Sequence, residues 1–225
     1  MKRNRLSLLA IGLVVASVVP LTESRANGKL DEILANMQKA ASNITTIHTK
    51  FDQIKRDPNI GGLEKYNGEV FYKHVAKGID KFKIVYSIPK GQTIWMVGET
   101  VTLYQSEIKQ AIITTRSAAA AKGDEFAFIA TPYTSIPELK RQYNIAYLGE
   151  EQGLAKLELT PKTKSSIRTL TWWVDRTMWL PVRSTVVESN GTPTTFNLSE
   201  VKKNQGISES TFKVDLPKGT KLIHK

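Results

Sequence analysis

The sequence predicts a mainly β protein with helices (α+β): a large, strongly bent antiparallel sheet or β-barrel of about ten or eleven strands, with one N-terminal helix and a central helical insertion. Three observations carry this. Segments of period-2 alternation recur along most of the chain, the clearest being Phe82, Ile84 and Tyr86 against Lys81 and Lys83. Turn signals separate these segments at short spacing, which favours a meander that bends round on itself. One helical stripe precedes the strands, and one interruption with poor strand periodicity splits them.

Residues 1–26 have the layout of a secretory signal peptide. Lys2, Arg3 and Arg5 precede an uncharged run, Leu6 to Val19, and Ser24-Arg25-Ala26 offers small residues at a cleavage site. The run of 14 residues is shorter than the roughly 20 that span a bilayer. Cleavage is expected near Ala26, leaving 27–225 as one domain. The chain has no Cys, so it has neither disulfides nor an attachment point for an N-terminal lipid. A soluble mature protein beyond the inner membrane is expected. The net charge is +11; residues 1–26 hold four basic residues and one acidic, leaving +8 for the rest. Dispersed lysines without a nucleic-acid motif argue against nucleic acid and for an anionic membrane surface or an acidic protein as partner.

Leu30, Ile33, Leu34, Met37, Ala41 and Ile44 recur at helical spacing and predict an amphipathic helix over 30–44. Thr46 to Arg56 alternates as a strand, with Ile47, Thr49, Phe51 and Gln53 on one side. A turn-rich stretch, Asp57 to Gly62, leads to strands over about 64–73 and 81–88. Thr93–Val97 and Val101–Gln105 flank Gly98-Glu99-Thr100 as a hairpin, and 109–115 reads as a further strand. Ser117–Lys122 breaks the pattern. Asp124 and Glu125 suit the start of a short helix ended by Pro132, and Pro137 suits the first turn of another. Strands resume at Asn144–Leu148, Ala155–Thr160, Arg168–Asp175, Val182–Ser189, Thr194–Val201 and Phe212–Val214, with a hairpin signal at Asn190-Gly191.

Catalytic chemistry finds no support. The three His residues, His48, His74 and His224, have no metal-ligand spacing, and there is no nucleophile elbow or phosphate-binding loop. No catalytic residue, metal site or cofactor is assigned. The informative residues are apolar and alternate: Val70 and Tyr72; Phe82, Ile84 and Tyr86; Leu157 and Leu159; Leu170, Trp172 and Val174; Phe196 and Leu198. A packed core and the wall of a cavity both fit them.

Several stretches in order resemble the LolA family of periplasmic lipoprotein carriers. They are Ile47 to Gln53, Gly68 to Lys73, Phe82-Lys83-Ile84 followed by Pro89, Phe126 to Ala130, Arg141 to Ile145, Leu157 to Lys162 and Pro217-Lys218-Gly219. The resemblance implies an unclosed barrel with a helical lid. It implies a monomeric periplasmic shuttle that takes acyl chains of lipoproteins from an inner-membrane ABC-type exporter to an outer-membrane acceptor. On this reading the lipid-binding cavity has Phe126, Phe128 and Ile129 on the lid side with Leu34 and Met37 from the first helix. Tyr72, Phe82, Ile84, Tyr86, Trp172 and Phe196 form the sheet side. Family members often carry an Arg after the Lys of the second strand, where it holds the lid shut; here the position is His74, the candidate latch, with fewer donors. A carrier or sensor of other lipids, a periplasmic hydrolase and a scaffold binding through sheet edges are the competing readings.

Overall fold

A computed structural model describes residues 21–56, 61–75, 79–121 and 135–225. Helix α1 (Leu21–Ser42) leads into strands β1 (Thr46–Arg56), β2 (Leu63–Lys73), β3 (Lys81–Ile88), β4 (Gln92–Val97), β5 (Thr100–Gln105) and β6 (Gln110–Thr115). Helices α2 (Arg116–Ala121) and α3 (Ile136–Gln142) follow. Strands β7 (Tyr143–Glu151), β8 (Leu154–Pro161), β9 (Ile167–Asp175), β10 (Leu180–Glu188), β11 (Pro193–Lys203) and β12 (Lys221–His224) complete the chain. The strands form one open, curled sheet in the order β12-β6-β5-β4-β3-β2-β1-β11-β10-β9-β8-β7. Two meanders, β1–β6 and β7–β11, meet where β1 pairs antiparallel with β11.

The alternation in the sequence becomes two faces. β3 buries Phe82, Ile84 and Tyr86 and leaves the intervening residues half-buried, as its period demands. Gly68 is required for close approach: a β-carbon there would stand 2.0 Å from the Val85 carbonyl oxygen and 3.0 Å from the Phe51 ring. Asn190-Gly191 closes the β10–β11 hairpin. Gly191, at φ +89°, donates its N–H to the Glu188 carbonyl, and the Asn190 side chain accepts from the Thr192 N–H.

Helix α1 lies on the β7–β10 half of the inner face. Ile33, Leu34 and Met37 are buried there against Leu157, Trp172 and Val186. Burying three such side chains contributes several kcal/mol, about 1.5–3 each. The exposed pairs Lys140–Asp31 and Arg176–Glu32, both at 3.3 Å, add little, because solvent screens them. Apolar burial therefore seats the helix and the ion pairs only trim its orientation.

The structure corrects the sequence reading in several places. The described residues form twelve strands rather than ten or eleven; β7 extends past both expected ends, and β10 starts two residues before its expected start. The expected strand Phe212–Val214 is absent; Glu209–Phe212 forms a 3-10 turn capped by Ser208, and Phe212 is buried. The last strand is instead β12, which pairs parallel with β6. Ser117–Lys122, read as a break, begins with helix α2 because the alanines are strong helix formers. Among the described residues the first helix spans Leu21–Ser42, so it extends well before residue 30. Helix α3 follows the expectation for Pro137, with Ser135 capping the Glu138 N–H. Residues 1–20, residues 57–60 of the expected turn, and the expected short helix from Asp124 to Pro132 lie outside the described residues.

Candidate functional site

The strand registers lay the apolar residues out as rows across the inner face. One row runs Ile47, Tyr72, Phe82, Met96 and Val101 over β1 to β5. The next runs Thr49, Val70, Ile84, Ile94 and Leu103. A third crosses the junction of the two meanders: Leu157, Trp172, Ser184, Phe196, Gln53 and Tyr66. Directly opposed residues share a face, so these rows make one apolar surface.

Of the residues the sequence singled out, Tyr72, Phe82, Ile84, Tyr86 and Phe196 are buried in one cluster with Phe51 and Ile94. Leu34, Met37 and Trp172 are buried in a second cluster beneath α1. The structure thus groups them in two halves joined across β10 and β11. Within the first, Phe51 meets Tyr86 edge-on at 5.3 Å between ring centroids, and Tyr72 meets Phe82 at 5.0 Å. Phe126, Phe128 and Ile129 lie outside the described residues.

A few polar groups interrupt this apolar surface. Thr49 is satisfied by its hydroxyl, which donates to the Ser199 carbonyl at 2.8 Å. Gln53 accepts from the Tyr86 hydroxyl at 3.5 Å. The Trp172 indole N–H and the Thr194 hydroxyl are buried without a hydrogen-bond partner among the described residues.

At the tip of the β2–β3 hairpin Asp80 gathers three groups. The Tyr72 hydroxyl donates at 2.7 Å and the Val75 N–H at 2.9 Å, and His74 Nδ1 lies 2.9 Å away. The His74 backbone N–H donates to the Thr45 carbonyl at 2.9 Å. Among the described residues His74 is thus tied to its own hairpin and to the turn after α1. A different cation reaches backbone carbonyls: Arg116, where β6 passes into α2, donates to Gly98 at 2.6 Å, to Asp80 at 2.5 Å and to Met96 at 3.4 Å. Its guanidinium lies 5.8 Å from the Phe82 ring centroid. Burial holds its pKa below the usual arginine value, with Glu99 and Asp80 opposing that shift. Sequence reasoning passed over Arg116 because a lone Arg between a strand and an alanine run carries no pattern.

The outer face is held by the C-terminal segment. Glu209 accepts from Lys73 and Lys81, both at 2.7 Å, and these two ammonium groups hold its carboxyl well below the usual range, at about 2. Trp95, Tyr104 and Ala111 are buried on this side with Leu216 packed against them.

Residues 42–215 match the family described as outer membrane lipoprotein carrier protein LolA. The chain belongs to this family. The LolA match begins at the end of α1 and stops before β12, so it covers the whole of β1–β11. The chain is similar to an outer-membrane lipoprotein carrier protein of Pseudomonas entomophila, 25% identical over 97% of each chain. A protein of that description from Pseudomonas putida is 24% identical over 96% of each. An uncharacterized conserved protein of Thermus thermophilus shares the fold, with a TM-score of 0.56 at 12% identity, covering 88% of this chain and 99% of its own. Among the described residues no helix is long and apolar enough to cross a membrane.

Proposed function

We propose that this protein is a periplasmic carrier that takes up acyl chains of lipoproteins released from the inner membrane and delivers them to the outer membrane. The observation that carries the proposal is the largely apolar inner face, with Val101, Met96, Phe82, Tyr72 and Phe196 in one half and Trp172 and Leu157 in the other. LolA family membership supports acyl chains of lipoproteins as its occupant.

The physics suits the task. Each methylene left in water costs about 0.8 kcal/mol, so a chain of roughly fifteen costs about 12 kcal/mol. A free lipoprotein would stay in its membrane. A carrier must cover the chains and still release them. Tyr72, Phe82, Ile84, Tyr86, Phe196 and Trp172 form the sheet side of the site on this reading. Leu34 and Met37 contribute from α1, and Phe126, Phe128 and Ile129 from the insertion. The sheet residues are buried in the present state, so uptake exchanges their present neighbours for lipid. That exchange keeps net affinity moderate and delivery reversible. The partners are an inner-membrane exporter on the donor side and an outer-membrane acceptor on the other, with His74 as the candidate latch.

The decisive experiment incubates the mature protein with inner-membrane vesicles that carry the ATP-driven exporter. Lipoprotein released in a soluble complex with this chain is the expected result. If ATP is hydrolysed and no lipoprotein leaves the membrane, the carrier reading fails. Mass spectrometry of the co-purified lipid separates lipoprotein from free phospholipid or glycolipid, which would favour a carrier of other lipids.

A further inference from the structure

The inner face is apolar almost throughout, and two buried polar groups on β9 and β11 have no partner among the described residues. Trp172 is 1% exposed, yet its indole N–H meets no acceptor among the described residues. Thr194 is equally buried, and its hydroxyl has no partner among them. The registers place the two on one face, two strands and one row apart. Trp172 opposes Ser184 on β10, Ser184 opposes Phe196 on β11, and Thr194 is two residues along β11 on the same face. Gln53 opposes Phe196 from β1 and continues the row. Ser184, between Trp172 and Phe196, is only half-buried. The row is therefore polar at Trp172, Ser184 and Gln53. The rows of β2–β5 hold Phe82, Ile84, Met96 and Val101, and their Tyr72 directs its hydroxyl to Asp80.

A buried N–H without an acceptor costs about as much as a lost hydrogen bond, and native cores rarely keep one. Burial calls for a large apolar side chain, and the indole brings an N–H whose desolvation a purely apolar ring would not incur. The donor needs an acceptor that arrives with the ligand. An acyl chain is apolar along its length and carries one strong acceptor, the carbonyl of its ester or amide link. An indole N–H donates only, so it selects for an acceptor.

We infer that the Trp172 indole N–H reads the acyl carbonyl of the bound lipid, with the Thr194 hydroxyl one row away on β11, and so fixes how far the chain slides along the face. The inference rests on the carrier reading above. It adds a register: the apolar rows of β2–β5 take the hydrocarbon, and the row through Trp172 takes the link to the head. The shared chemistry is an acyl carbonyl, whether it belongs to a lipoprotein or to a phospholipid.

The test compares a diacylglycerol with its dialkyl ether analogue, which has the same chains and lacks the carbonyls, in binding to the full mature chain. Wild type should prefer the ester by about 3- to 10-fold, the worth of one buried hydrogen bond. In Trp172→Phe the ratio should fall to about one. The smaller ring alters the packing against both lipids alike, so its effect cancels in the ratio. Thr194→Val, which keeps shape and removes the hydroxyl, should lower the ratio without abolishing it. Should Trp172→Phe not fold, indole proton NMR of the wild type decides: one of the four Trp N–H signals should move downfield with the ester and stay in place with the ether. Equal binding of ester and ether by wild type, or an unchanged ratio in Trp172→Phe, overturns the inference and leaves the carrier reading standing. Failure of both lipids to bind brings down both. A triacylated lipopeptide and a phospholipid, run alongside, show which source of carbonyl is preferred.

Discussion

The Tyr72 hydroxyl donates to the Asp80 carboxylate at 2.7 Å, joining an inward-facing aromatic of β2 to the tip of the β2–β3 hairpin. The same carboxylate accepts the Val75 N–H and pairs with His74. One short acid thus ties Tyr72, His74 and Val75 to the residue that precedes β3. Asp80→Ala should destabilise the protein by about 1.5–3 kcal/mol, the range for hydrogen bonds to a charged group. His74→Ala, at a half-exposed pair, should cost under about 1 kcal/mol. Urea unfolding of the two variants checks the difference. Equal losses would mean that His74, rather than the carboxylate, organises the tip.

Gly68 leaves room for the Val85 carbonyl and the Phe51 ring. The obstruction at 2.0 Å is backbone, which cannot swing aside. Gly68→Ala should therefore cost about 1–3 kcal/mol through overpacking, which corresponds to a drop in Tm of several degrees for a chain of this size. Thermal unfolding followed by circular dichroism measures it. A Tm equal to wild type would show that β2 and β3 can separate without loss.

Arg116 spans the carbonyls of Asp80, Met96 and Gly98. Arg116→Met keeps the aliphatic stem and strips the donors. A loss of about 2–4 kcal/mol is expected, because carbonyls near strand ends lose charged donors together. Arg116→Lys should recover only part of it, since an ammonium cannot reproduce the planar fork. Denaturant midpoints of the three proteins test this, and full rescue by Lys would show that charge alone matters.

Glu209 titrates at about 2 in the folded protein, against 4.5 for an unperturbed carboxyl of its kind, through Lys73 and Lys81. A depressed carboxyl contributes stability that is present above its unfolded pKa and lost as pH falls through the folded one. The window therefore runs from 4.5 down to about 2. Glu209 is largely exposed, so the effect is small and screened by salt. Glu209→Gln should unfold at lower temperature than wild type near neutral pH, and the two Tm values should converge on acidification through that window. A constant gap would assign the loss to packing of the 3-10 turn.

How much of this was legible beforehand differs by element. Phe82, Ile84 and Tyr86 announced their shared face because a strand repeats every two residues, and a buried face must repeat with it. The Asn190-Gly191 turn was legible for a similar local reason: its φ requirement is a property of the residues themselves. The strand expected at Phe212–Val214 failed because three residues carry almost no period, and Ser208 and Glu209 favour a capped turn. The expected lining residues are all buried where they are described. Their division into two clusters, one beneath α1, had no local signal.

The sequence by itself determined the mainly β architecture, the alternation that builds the inner face, and the likeness to the LolA family. Each follows from patterns within a few residues or from their order along the chain. Only the tertiary structure decided that Trp172, Ser184, Phe196 and Gln53 share a row, that Arg116 closes over three carbonyls, and that β12 pairs parallel with β6. These relationships join residues far apart in the chain, and strand register, which local periodicity does not encode, sets them.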